Sequence, residues 1–207
     1  MAHYDFTGEG CHKKILVRLS QRGPLNIFEY GSGFSMVYFS KFLRRNEIKF
    51  SFVSVDNDRV WFEKISRLIT NVRLGEDVRM VLFPFLPFWE KEGWIWDACP
   101  HPGQFAPRLQ EERDYIQAPS RWKMKFDLII VDGRFRRRCL EFIPSVIKED
   151  GIVFLHDAQK KKYHDGFKYY KFSKLVNSGA YYPMDRGCWQ FWIGSQNKEV
   201  LEEMFYK

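Results

Sequence analysis

Apolar positions along this chain switch repeatedly between a helical period and a strand-like one. Between Glu9 and Arg22 they fall at Cys11, Ile15, Leu16 and Leu19, which predicts an amphipathic helix ended by Gly23-Pro24. LNIFEYGSG then reads as a short strand running into a glycine loop. A helix over Phe34–Arg45 follows, with Met36, Val37, Phe39, Phe42 and Leu43 on its apolar side. KFSFVSVD predicts a second strand ending on Asp56, and Asp58–Leu74 a further helix with Val60, Trp61, Ile65, Leu68, Ile69 and Val72 at helical spacing. VRMVLF, KFDLIIVDG and GIVFLHD predict three more strands. DLIIV among them is an unbroken apolar run of the kind buried on both faces of a parallel sheet. Arg138–Lys148 predicts a helix despite Pro144, and Lys161–Asn177 another, capped by Ser178-Gly179. AYYPMD and CWQFWIG predict an antiparallel closing pair.

This alternation of strand and helix predicts an α/β fold: a doubly wound, mostly parallel, seven-stranded Rossmann-like sheet closed by an antiparallel strand pair. The 207 residues suit one domain spanning 1–207. Within it, Pro84–Lys125 is rich in proline and tryptophan and weakly periodic, the mark of an insertion or lid on the substrate side.

Composition narrows the picture only a little. The formal charge of +7 favours acidic small molecules or nucleic acid as partners. Its basic residues are dispersed, apart from Arg134–Arg138, interrupted by Phe135, and Lys160-Lys161-Lys162. Aromatic residues reach 18%, serving either the core or a pocket for a planar or sugar-like ligand. Cys11, Cys99, Cys139 and Cys188 form no CxxC pair, which speaks against a zinc ribbon or a thioredoxin motif. No apolar run approaches the roughly 20 residues that span a bilayer, and no charged leader with an apolar stretch opens the sequence. A cytoplasmic protein with reduced thiols and no membrane contact is expected.

In an open parallel sheet, ligands bind beyond the carboxyl ends of the strands, where strand order reverses. Four predicted strands deliver polar or glycine residues to that edge: Glu29-Tyr30-Gly31-Ser32-Gly33, Asp56-Asn57, Asp132-Gly133 and His156-Asp157. Gly31 and Gly33 allow a tight turn and close backbone approach to a ligand. Asp56, 23 residues after Gly33, is placed to accept both hydroxyls of a ribose, while Asp58 suits the cap of the next helix.

LNIFEYGSG, SFVSVDND and KFDLIIVDG, in that order, resemble motifs one, two and four of class I S-adenosylmethionine-dependent methyltransferases, over roughly residues 25–195. The resemblance implies S-adenosylmethionine as cofactor. It places Glu29 near the methionine amino group, Gly31 to Gly33 beneath methionine and ribose, and Asp56 on the ribose hydroxyls. The strand ends VDG and LHD are distantly similar to small-molecule and sugar O-methyltransferases, plant glucuronoxylan methyltransferases among them. In metal-dependent relatives carboxylates at these ends hold a divalent ion, a role that would fall to Asp132 and Asp157, since oxygen ligands suit Mg²⁺. The other chemical reading makes His156 or Asp132 a general base without metal. A purely structural reading has Asp132 capping the next helix and Asp157 pinning its loop. Arg134 and Arg137 are candidates for holding an acidic acceptor, because arginine forks pair with carboxylates and phosphates.

Three rivals remain at this level. A nicotinamide-dependent oxidoreductase would need glycine where Met36 stands. An aminopropyl-type transferase would use the same fold. An RNA-binding module is disfavoured by carboxylates at the strand ends and by the lack of an RNA-recognition signature. The expected acceptor is small or sugar-like, with a hydroxyl, and the positive surplus favours an anionic one.

Overall fold

The first strand shows how the sequence sorts its side chains. In β1 (Leu25–Tyr30), Leu25 and Ile27 pack into one core layer and Phe28 and Tyr30 into the other, as period-2 alternation requires. The computed structural model describes residues 11–84, 106–181 and 188–206. It places β1, β2 (Phe50–Asp56), β3 (Val78–Leu82), β4 (Phe126–Val131), β5 (Ile147–Leu155), β6 (Phe172–Tyr181) and β7 (Cys188–Ser195) in one seven-stranded sheet of order β3-β2-β1-β4-β5-β7-β6. The pairs from β3 through β5 are parallel, and β7 is antiparallel to both β5 and β6. The doubly wound α/β reading holds. Strand order reverses between β1 and β4.

One layer packs α1 (Cys11–Ser20), α2 (Phe34–Arg45) and α3 (Arg59–Asn71) on the sheet through Ile15, Leu16, Met36, Leu43, Ile65 and Ile69. The other packs α4 (Ala106–Ile116) and α5 (Arg136–Phe142) through Tyr115, Ile116, Cys139 and Leu140. A last helix, α6 (Lys198–Tyr206), adds Val200 and Leu201 to the first layer. The run DLIIV lies entirely buried in β4, as a central parallel strand must. Asp58 caps α3, accepting a hydrogen bond from the Trp61 backbone at 2.9 Å.

Several expected elements differ. The helix expected over Arg138–Lys148 begins at Arg136 and stops at Phe142. Pro144 has no N–H to continue it, and a 3₁₀ turn over Ile143–Ser145 leads into β5. The helix expected over Lys161–Asn177 is a 3₁₀ segment over Lys161–Tyr169, and β6 begins at Phe172. From there exposure alternates residue by residue, with Phe172 and Val176 turned to the first layer; pairing with β7 overrides the local helical spacing. The closing pair therefore starts earlier than AYYPMD, and residues 182–187 lie outside the described ones. Within Pro84–Lys125, the described part carries α4 and a 3₁₀ turn over Ala118–Trp122. Tyr115 and Ala118 are fully buried, so this part belongs to the core; residues 85–105 lie outside the described ones.

Candidate active site

Parallel pairing brings the ends of β2, β1, β4 and β5 side by side. The ladder continues past the strands, with Gly31 N–H donating to Val55 O (2.8 Å), Asp132 N–H to Tyr30 O (2.9 Å) and His156 N–H to Val131 O (3.1 Å). At the switch between β1 and β4 the two loops touch backbone to backbone. Gly31 has φ of 90°, and a Cβ there would lie 2.6 Å from Gly133 N and Cα; a Cβ on Gly133 would lie 2.0 Å from the Tyr115 hydroxyl. Glycine is required at both positions by their mutual contact. Gly33 is different. It is extended (φ −153°), precedes α2, and a Cβ there would come only to 3.3 Å from Ser35 Oγ.

Over this switch point lies a cleft of about 270 Å³ walled by Gly31, Ser32, Gly33, Asp56, Asn57 and Trp61 on one side and by Asp132, Gly133, Arg134 and Arg136 on the other. Asp56 accepts a hydrogen bond from Asp58 N–H at 2.8 Å. Burial raises its carboxyl to about 6, against the lowering effect of backbone N–H groups from Asp58, Ser32 and Asn57. Trp61 Nε1 donates to Ser32 O and so ties α3 to the glycine loop.

Two of the expected cofactor residues do not line the cleft. Tyr30 is buried in the second layer, its hydroxyl donating to Ile116 O at 2.6 Å. Glu29 lies beneath the loop, fully buried. Ser54 donates to its Oε2 at 2.8 Å and Ser35 to its Oε1, and Ser54 also reaches Ser32 Oγ at 2.9 Å. Burial pushes the Glu29 carboxyl up to about 8, the serine hydrogen bonds opposing it, so it carries its proton at neutral pH. Glu29 is thus hydrogen-bonded to Ser35 and Ser54, and through Ser54 linked to Ser32 of the glycine loop.

On the far side of Asp132, a small apolar cavity lies between α1, α2 and the sheet, lined by residues such as Ile15, Phe39, Leu128 and Phe191. Ser35 and Asp132 line both spaces, and His156 lines the apolar one. His156 Nδ1 is 3.0 Å from Asp132 Oδ1. Asp132, His156 and Asp157 are thus brought together, with Asp157 Oδ1 3.7 Å from His156 Nδ1, although Asp157 lines neither space. The Asp157 carboxylate, in a left-handed residue (φ 59°), binds Lys160 Nζ at 2.5 Å and Arg136 Nη1 at 3.2 Å. Burial raises Asp157, but the Lys160 hydrogen bond and the Arg136 charge outweigh it, and its carboxyl ends below the usual range. The capping role weighed for Asp132 is not seen, since Phe135 holds the N-cap of α5.

Ser35, Ser54, Trp61 and Arg136 are functional positions that the sequence pattern does not single out. Ser54 had a visible cue, a polar residue at an inward position of a buried strand. Arg136 had none beyond its membership of an arginine run. Of the two arginines singled out, Arg134 borders the cleft, and Arg137 is half exposed and pairs with Asp165 at 3.6 Å.

The glycine loop, Asp56 and the cleft fit S-adenosylmethionine, with Asp56 placed for two vicinal hydroxyls. The residues do not fit a divalent ion. Asp132 and Asp157 are both bound by Arg136, and no group of three His, Cys, Asp or Glu side chains among the described residues is arranged to hold a metal.

A family model described as a methyltransferase domain matches residues 28–158, from within β1 to just beyond β5. Among solved structures, an O-methyltransferase from Bacillus cereus in complex with SAH is 12% identical with a TM-score of 0.61, covering 93% of this chain and 82% of that one. A precorrin-6y C5,15-methyltransferase from Geobacter metallireducens is 9% identical (TM-score 0.56; 91% and 88% covered). A spermidine synthase from Thermotoga maritima is 14% identical (TM-score 0.55; 95% and 62% covered). Proteins this varied on one fold leave the choice of chemistry to the site. No curated protein matches by sequence.

Proposed function

The chain belongs to the methyltransferase-domain family and depends on S-adenosylmethionine, and from that premise we propose that it methylates a hydroxyl of a small or sugar-like, anionic acceptor. One observation carries this reading. Asp132 borders the cleft at the strand ends, and His156 stands directly behind it, hydrogen-bonded at 3.0 Å.

When bound, the cofactor supplies an electrophilic methyl group on a positively charged sulfur. The chain's own part is to hold it and to deal with a proton. Asp56 accepts the ribose hydroxyls, and the Gly31–Gly33 loop, backed by Glu29 and the serines, carries the remainder. A hydroxyl oxygen attacks methyl well only as its proton leaves, so a base must stand beside the cleft. His156 fills that role. Its Nδ1–H donates to Asp132, which fixes the tautomer with Nε2 as proton acceptor, and the Asp132 carboxylate then stabilises the imidazolium. Arg134 at the cleft mouth and the +7 surplus favour a carboxylate or phosphate on the acceptor. Among the described residues no helix is long and apolar enough to cross a membrane. Cys139 is a free buried thiol, in keeping with work in a reducing cytoplasm.

The test is to incubate the protein with methyl-deuterated S-adenosylmethionine and a pool of hydroxylated carboxylates, sugar acids and phosphates, then locate the label by tandem mass spectrometry. Label on oxygen, lost in His156→Ala while S-adenosylhomocysteine still binds, is the expected result. Label on nitrogen or carbon, or full turnover by His156→Ala, overturns the reading.

A further inference from the structure

Arg136 is the most heavily engaged side chain at the strand ends. Its Nε donates to Gly133 O at 3.0 Å. Nη1 donates to His156 O at 2.8 Å and Asp157 Oδ2 at 3.2 Å, and Nη2 donates to Asp132 O at 2.8 Å and forms an ion pair with Asp132 Oδ1 at 2.9 Å. A guanidinium has five N–H donors, and here four hydrogen bonds and one ion pair hold it among five oxygens of the β4 and β5 loops. The ring of Tyr163 lies 5.3 Å from its Cζ. Its side chain is only 12% exposed.

We infer that Arg136 is the resident cation of this site. Its guanidinium fills the oxygen-lined place between Asp132 and Asp157 where the sequence resemblance would put a divalent ion, and the methyl-transfer site runs without a metal ion there. The oxygens surround a planar group at about 3 Å, whereas Mg²⁺ demands oxygens at about 2.1 Å in octahedral array. The cradle is shaped for a guanidinium. Held by these loop oxygens, Arg136 acts through other groups as a positioning residue. By gripping the backbone oxygens of Asp132 and His156 together with the Asp132 carboxylate, it sets the Asp132–His156 pair at hydrogen-bonding distance. Lysine cannot replace it, because three donors on a point charge cannot span five oxygens.

The inference goes beyond the proposed reaction and is read without an acceptor, so either can fail alone. Wild-type protein saturated with S-adenosylhomocysteine is titrated with Mn²⁺ and followed by electron paramagnetic resonance; no stoichiometric binding is expected. One equivalent of bound Mn²⁺ that Asp132→Asn abolishes overturns the inference. In parallel, ¹⁵N resonances of the His156 ring report its tautomer. The wild type should show the Nδ1–H form, Arg136→Ala should lose it, and millimolar guanidinium, but not Mg²⁺, should restore it. An unchanged His156 spectrum in Arg136→Ala, or rescue by Mg²⁺ instead, overturns the positioning role. If Arg136→Ala does not fold, the wild-type Mn²⁺ titration still decides the cation question.

Discussion

Replacing Glu29 with Gln should stabilise the protein, and the gain should grow with pH. Glu29 is completely buried, and burial raises its carboxyl from 4.5 to about 8. A carboxyl raised on folding contributes stability that is fully present below pH 4.5 and lost as pH rises through about 8, because the unfolded chain ionises first. Each unit of pKa is worth about 1.4 kcal/mol. The variant, which cannot ionise in either state, should therefore exceed the wild type by less than about 1 kcal/mol at pH 5, about 3 kcal/mol at pH 7 and about 5 kcal/mol at pH 9. The hydrogen bonds survive the change: the amide can accept from one serine and donate to the other, since a hydroxyl serves either way. Urea unfolding of both proteins at the three pH values gives the difference directly, and all other titrating groups cancel in it. A difference that does not vary with pH, or one that favours the wild type at pH 9, would refute the placement of a neutral carboxyl beneath the cofactor loop.

Asp56, raised to about 6, must ionise to accept two ribose hydroxyls, so S-adenosylhomocysteine affinity should be flat above pH 6 and fall roughly tenfold per unit below it. Asp56→Ala should bind about 1.5–3 kcal/mol more weakly and lose that pH dependence, both read by calorimetry. Gly31→Ala sets a Cβ 2.6 Å from the Gly133 backbone at a positive φ and should cost on the order of 2–3 kcal/mol in urea unfolding; an unchanged midpoint would show that the two loops do not touch. His156→Ala should lower kcat by roughly 10²–10⁴-fold, the usual worth of a general base, with the S-adenosylhomocysteine dissociation constant within twofold of the wild type.

The order of strands through β5, the first three helices, the glycine loop, the Asp56 strand end and the Asp58 cap were legible in the sequence, while the helix over Ala106–Ile116 was not. Each legible feature depends on a pattern within one segment: a helical or strand period, a glycine after a buried strand, an Asx cap before a helix. The pairing of Asp132 with His156 followed from the rule that parallel strands present their carboxyl ends together. Tertiary structure decided the remainder. Strand parity alone could not say which layer Glu29 and Tyr30 enter, and the answer removed both from the cleft wall. Local spacing favoured helix at Lys161–Asn177 until the neighbouring β7 offered hydrogen bonds to an edge strand. Gly31 is fixed by Gly133, a residue 102 positions later, and neither predicts the other. Arg134, Arg136 and Arg137 look alike in a basic run. Only the converging loops of β4 and β5 bury Arg136 among five oxygens and leave Arg137 half exposed beside Asp165. A side chain's partners across the sheet are set by distance in space, which a one-dimensional pattern does not carry.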